Sequence, residues 1–94
     1  MIAQQQEYKK AYEYIRAIRN DKRDQLIKYL REHPGTTVSS LYKRFKMEQS
    51  ECSAHLKILR DANVVTGTRD GKNVHYTVNE EVLEANGNTL KELR

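Results

Sequence analysis

A single cysteine stands among the 94 residues, and that scarcity closes off several chemistries. No internal disulfide can form, and no zinc cage of several thiolates can be assembled. Three histidines, His33, His55 and His75, lie scattered along the chain and with one cysteine make no metal-ligand set. No glycine-rich stretch has the form of a phosphate-cradling loop. Serine, histidine and acidic residues are all present, yet nothing assembles a nucleophile, a base and a pocket, so an enzyme is not expected. No apolar run approaches the length of a membrane span or a signal peptide. A soluble, cytoplasmic protein is therefore expected, and there is no repeat, low-complexity tract or linker to divide it.

What the chain does contain is enough for one domain with a modest core. Hydrophobic residues make up 37% and charged residues 32%. Such a thin core leaves room for a dimer interface to supply part of the stability. The net charge of +4 and a pI near 9.3 favour a polyanionic partner.

The stretch Met47–Ala62, MEQSECSAHLKILRDA, organises the rest. Read as a helix, it sets Cys52, Leu56, Leu59 and Ala62 on one stripe. The opposite side carries Gln49, Ser50, Ser53, Ala54 and Lys57. Small polar side chains let a helix enter the major groove of DNA, where base edges offer donors and acceptors. The preceding LYKRFKM reads as the end of a shorter helix and a tight turn. The following NVVTGTRDGKNVHYTV reads as a hairpin. Helix, turn, helix, hairpin is the order of a winged helix-turn-helix.

Along the chain, Gln4 to Arg19 repeats Tyr8, Ala11, Tyr12, Ile15 and Ile18 at helical spacing. That stripe is long for a small domain to cover, and its aromatic content favours packing against a second copy. Asn20 or Asp21 can cap the next helix, which points Leu26, Ile27 and Leu30 inward as far as His33. Pro34-Gly35 stops it. Thr37 reads as the cap of a short helix carrying Val38, Leu41 and Phe45 inward, with Lys43, Arg44 and Lys46 forming a basic cluster. Asn63 suits a left-handed helix end. Val64–Arg69 and Asn73–Val78 alternate as strands around the turn signal Asp70-Gly71, with Arg69 and Lys72 at the tip. Residues 79–94 begin with the cap Asn79, and Asn86-Gly87-Asn88 interrupts them, giving either one helix or two short ones.

Taken together, Asn20 to Val78 resembles the arsenic-repressor (ArsR/SmtB) family of small dimeric bacterial transcription regulators. The strongest match is SAHLKILRDANVV, Ser53 to Val65, against the family's S-x-H-L-x-x-L-x-x-A-G-L-V. The basic hairpin Arg69-Asp70-Gly71-Lys72 leads to Val74-His75-Tyr76 as the family's wing does. Arg23 in NDKRDQLIKYL matches the family's D-P-T-R. The resemblance implies a homodimer joined by the first and last helices, with recognition helices in successive major grooves.

The departures are informative. Thr37, Val38 and Ser39 stand where metal-sensing members carry C-V-C, and the terminal segment lacks the histidines and aspartate of the other known site. Hydroxyls and asparagines do not replace thiolates or imidazoles, so neither a metal nor another cofactor is expected. Lys46 and Asn63 replace usual glycines; asparagine tolerates the left-handed conformation better than lysine. Glu48 and Glu51 occupy positions where serine and threonine are usual. Glutamates suit a helix N-terminus but repel phosphates, unless Glu51 accepts a hydrogen bond from a cytosine amino group. Cys52 lies on the apolar stripe as a core thiol, His55 beside it as either a half-buried or a phosphate-facing residue, and His75 within the second strand in a structural place.

The expected architecture is mainly α with a small β-hairpin, a winged helix-turn-helix dimerised by its terminal helices. Residues 1–94 form one domain: dimerisation helix 1–19, helix-turn-helix 37–62, wing 64–78 and C-terminal helix 79–94. Gln49, Ser50, Glu51, Ser53 and Ala54 are expected to read bases, and Lys43, Arg44, His55, Lys57, Arg69 and Lys72 to position phosphates of double-stranded DNA. Tyr8, Ala11, Tyr12, Ile15, Leu83 and Leu90 are expected at the interface of a homodimer. The function implied is a sequence-specific transcriptional regulator, most simply a repressor; the alternative is a winged-helix adaptor that binds protein instead.

Overall fold

Asn20 begins the helix that seats all the others. Its backbone is extended and its side-chain oxygen accepts the Arg23 amide, so one orphan N–H of the first turn is satisfied. The computed structural model describes residues 11–85. Within them, helix α1 covers residues 11–18, followed by α2 (Asp21–Glu32), β1 (Thr36–Thr37), α3 (Val38–Arg44), α4 (Gln49–Asp61), β2 (Val65–Asp70), β3 (Asn73–Val78) and helical residues 80–85, here α5. Leu26, Ile27 and Leu30 point inward from α2, as their spacing predicts.

After α2 ends, the Gly35 amide donates to the Tyr76 carbonyl and hands the chain to the sheet. Thr36 and Thr37 then pair antiparallel with Tyr76 and His75, so the sheet has three strands in the order β1-β3-β2. A two-residue strand shows no alternation, which is why the sequence suggests only a hairpin there. Thr37 also caps α3, accepting the Ser40 amide at 3.2 Å.

Helices α3 and α4 both stop in the same way. Lys46 follows α3 with φ 54, its amide reaching the Lys43 carbonyl while the Met47 amide reaches Tyr42. Asn63 follows α4 with φ 61, its amide reaching Arg60 while the Val64 amide reaches Leu59. Each is a Schellman motif, two crossed bonds closing over a left-handed residue. Behind the second one Leu59 and Val64 are fully buried, the hydrophobic contact that accompanies this ending.

The wing runs from Val65↔Val78 to Asp70↔Asn73 in register. Its turn is Gly71-Lys72 rather than Asp70-Gly71, because Asp70 still pairs. Gly71 alone takes positive φ (63), matching a two-residue loop with glycine in its first place. Of β2 only Val65 is buried; the rest projects beyond the body, so the alternation in its sequence has no core to serve. Gly67 is needed for another reason: a Cβ there would meet the Tyr76 ring at 3.0 Å.

The core joins Leu26, Leu30, Leu41, Cys52, Leu56, Leu59, Val64 and Ala17, all fully buried. Each large aliphatic side chain buried this way stabilises by about 1.5–3 kcal/mol. In α1 the inward side is Tyr14 and Ala17, with Ile15 and Ile18 half-buried. Tyr12 points outward at 66% exposure, so that part of the stripe is not used by the core of this chain. Ala11, Ile15 and Leu83 are half-buried, and the last two pack on the core. Tyr8, Leu90 and the Asn86-Gly87-Asn88 interruption lie outside the described residues.

Candidate nucleic-acid interface

Helix α4 starts two residues later than its sequence pattern suggests, at Gln49, with Glu48 in the cap position and no side-chain cap bond. Cys52, Leu56 and Leu59 turn into the core, while Gln49, Ser50, Ser53, Ala54 and Lys57 are all exposed. The division is the one expected from an amphipathic helix with a narrow apolar stripe. Because the buried side holds α4 against α2, α3 and the wing, the small polar side is presented outward.

One flank of that face opens into a groove. Gln49 and Ser53 line it from α4, Ser39 and Tyr42 from α3, and Lys72 and Asn73 from the wing. Lys72 is an exposed cation on its lining, Lys43 on α3 and Arg69 on β2 are exposed as well, and among the described residues none of these three makes an ion pair. Val74 and Tyr76 of β3 complete the groove's lining on the wing side. Ser39 and Asn73 carried no sequence signal, since only the packing of wing against helix-turn-helix places them beside Gln49.

Other basic residues are already engaged. Arg44 lies over the Tyr29 ring, 4.5 Å from its centre, on the side of α3 that faces α2. Tyr29 in turn meets Phe45 edge-on. Lys57 pairs with Asp61 at 3.1 Å, one turn along α4, where both groups are exposed and the pair is worth little.

The opposite flank of α4 meets a polar network. Arg23 is buried, donating from Nε to the Ala17 carbonyl at 2.8 Å and from Nη2 to the Arg16 carbonyl. Its Nη1 lies 3.1 Å from His55 Nδ1. A guanidinium can only donate, so Nδ1 accepts and the ring proton sits on Nε2. That nitrogen faces Glu51 at 3.7 Å. His55 keeps only 14% of its side chain exposed. Glu51 itself is gripped by Lys22 at the start of α2. The Lys22 hydrogen bond holds the Glu51 carboxyl below the usual carboxylate range. Arg23 shows itself in the sequence only as a motif match, and Lys22 not at all, because the α4 side chains they meet lie 29 and 32 residues away.

Burial, reinforced by the Glu51 charge, pushes the Cys52 thiol up, so it stays protonated and inert at neutral pH. His75 donates from Nδ1 to the Gly35 carbonyl at 2.9 Å and braces the sheet, the structural place expected for it. Asn79 likewise braces the wing, accepting from the Thr66 hydroxyl and donating to the Asn63 carbonyl. Among the described residues no three His, Cys, Asp or Glu side chains gather as a metal site, and no helix is long and apolar enough to cross a membrane.

Comparison with known proteins agrees with this geometry. Residues 20–66 match the model of the bacterial regulatory protein, arsR family. The arsenical resistance operon repressor of Bacillus subtilis (strain 168) is 37% identical over 79 residues, covering 84% of this chain and 73% of its own. Among solved structures, HlyU from Vibrio cholerae N16961 superposes with a TM-score of 0.73 at 28% identity, covering 93% of this chain and 94% of that one. The fold is also that of a homodimeric winged helix-turn-helix DNA-binding domain from Mycobacterium bovis, with a TM-score of 0.80 at 19% identity over 96% of this chain and 83% of that one. With that family model matched across the helix-turn-helix and a repressor this similar, the chain belongs to the arsR family of bacterial regulatory proteins.

Proposed function

We propose that the chain is a homodimeric, sequence-specific DNA-binding transcriptional regulator of the cytoplasm, most simply a repressor that blocks promoter access. The observation that carries this reading is the outward face of α4. Gln49, Ser50, Ser53 and Ala54 are all exposed and short or hydrogen-bonding, Lys72 shares a groove with Gln49 and Ser53, and Lys43, Arg69 and Lys72 are exposed cations without an ion pair among the described residues. A helix of this shape fits the major groove, where Gln49 can pair with adenine, the serines with either purine or pyrimidine edges, and Ala54 with a thymine methyl. The cations hold phosphates and set register without reading sequence.

In this reading residues 37–62 are the helix-turn-helix, 64–78 the wing, and 1–19 with 79–94 the dimerisation helices. Lys57 would reach a phosphate by releasing Asp61, and Arg44 by leaving Tyr29. His55, half-buried against Arg23, acts on α4 rather than on DNA. Glu51 would read a base only by exchanging Lys22 for a cytosine amino group. An adaptor that binds protein would be favoured by the acids Glu48 and Glu51, but Lys22 already balances one of the two charges.

Selection of bound fragments from random DNA tests the proposal. A palindromic consensus with half-sites about one helical turn apart is expected. Failure to enrich any sequence would reject specific DNA reading.

A further inference from the structure

An acidic residue near the reading face of a DNA-binding helix needs an account, and the ion pair across α2 and α4 supplies one. Glu51 is in the first turn of α4, next to Ser50 and one turn before Ala54. Left alone, its charge would sit where phosphates approach and repel them. Lys22 reaches it from the first turn of α2, 29 residues away in sequence. The backbone places that lysine firmly: Asn20 caps α2, and the neighbouring Arg23 is locked to the Ala17 and Arg16 carbonyls. His55, whose ring Arg23 orients, brings Nε2 to 3.7 Å from the same carboxylate oxygen. The groups around Glu51 therefore come from two elements, and the full cation among them is Lys22.

A surface pair contributes little to folding, since its gain is offset by solvent screening and lost side-chain freedom. Lys22 keeps 55% of its side chain exposed and Glu51 35%, so stability does not explain the arrangement. Its effect is on the field at the reading helix. We propose that Lys22 is a positioning residue for DNA binding: it holds the Glu51 carboxylate and cancels its charge, so that the acid does not repel the backbone of the bound duplex. This rests on the DNA-binding reading above and extends it to a residue outside the helix-turn-helix and the wing.

The test is a double-mutant cycle on the full-length chain, with the selected duplex as ligand and fluorescence anisotropy as readout across a salt series. Lys22→Ala should weaken binding about five- to tenfold, at all sites alike, and lower the log–log salt slope by about one unit per protomer. In the Glu51→Gln background the same Lys22 substitution should change affinity less than twofold and leave the slope unaltered. Lys22→Arg should retain wild-type binding. A loss of equal size in both backgrounds would overturn the proposal, since Lys22 would then act on DNA directly or through the fold. So would the absence of any loss in Lys22→Ala. If no protein in the cycle binds DNA, the functional reading fails, and this inference with it.

Discussion

Arg23 shows how much one side chain can organise when it is buried with its donors satisfied. It closes the end of α1 through the Ala17 and Arg16 carbonyls and steadies α4 through His55. Burial and the Arg16 charge lower its pKa from the usual arginine value, yet the group remains a cation at neutral pH. Replacing Arg23 with methionine keeps volume but strands two carbonyls and the His55 nitrogen. Urea denaturation should show a loss of about 2–4 kcal/mol. Arg23→Lys should recover only part of it, because an ammonium does not present the guanidinium's planar fork to three acceptors. A loss below the range of ordinary surface substitutions would mean that the network contributes nothing to folding. In the sequence Arg23 stands in a polar run and is marked only by the motif it matches, because its acceptors are backbone atoms of α1 and a ring from α4.

At the scale of elements, the two Schellman endings decide where α3 and α4 stop and at what angle the chain turns between them. Both were foreshadowed in the sequence, one by an asparagine and the other by a lysine in a place that glycine suits. Their unequal fitness gives a measurable contrast. Lys46→Gly should raise stability by about 0.5–1 kcal/mol, because the left-handed conformation strains a lysine. Asn63→Gly should change it by only a few tenths, asparagine being at home there. Thermal unfolding of the two variants beside wild type checks this; equal shifts would show that the strain at Lys46 is relieved elsewhere. The wing obeys the same logic of local chemistry, though its turn lies one residue beyond the Asp-Gly signal. A dipeptide names a turn but not its register, and here the ladder continues through Asp70 and Asn73.

Among the described residues, one side of α1 faces the core and the other carries an exposed aromatic. Tyr12 points away from the core, while Tyr14 and Ala17 fill it. If this side joins a second copy, Tyr12→Glu should halve the particle mass from twice 11.0 kDa to that of one chain in sedimentation equilibrium. It should leave the unfolding of each chain cooperative. A wild-type particle of one chain's mass would refute the dimer instead. The same scale explains what could and could not be read in advance. The α4 stripe of Cys52, Leu56 and Leu59 and its exposed opposite face are local, since a period of 3.6 sorts residues before any partner is known. The caps Asn20 and Thr37, the left-handed Asn63 and the order of helix-turn-helix and wing are local in the same sense. In α1 spacing alone does not say which aromatic faces the core, because neighbouring stripes both carry aromatic and aliphatic residues and only the rest of the fold turns Tyr14 rather than Tyr12 inward.

The sequence by itself settled the order of helix-turn-helix and wing and the face of α4 that meets solvent, both of which follow from spacing over a few turns, while the family was legible only as a motif resemblance centred on Ser53–Val65. Tertiary structure alone decided that Thr36–Thr37 join the sheet, that Ser39, Tyr42 and Asn73 share a groove with Gln49, and that Lys22 balances Glu51. Those outcomes depend on contacts between residues tens of positions apart. Their energies exist only once the hydrophobic core has brought the helices and the wing into one arrangement.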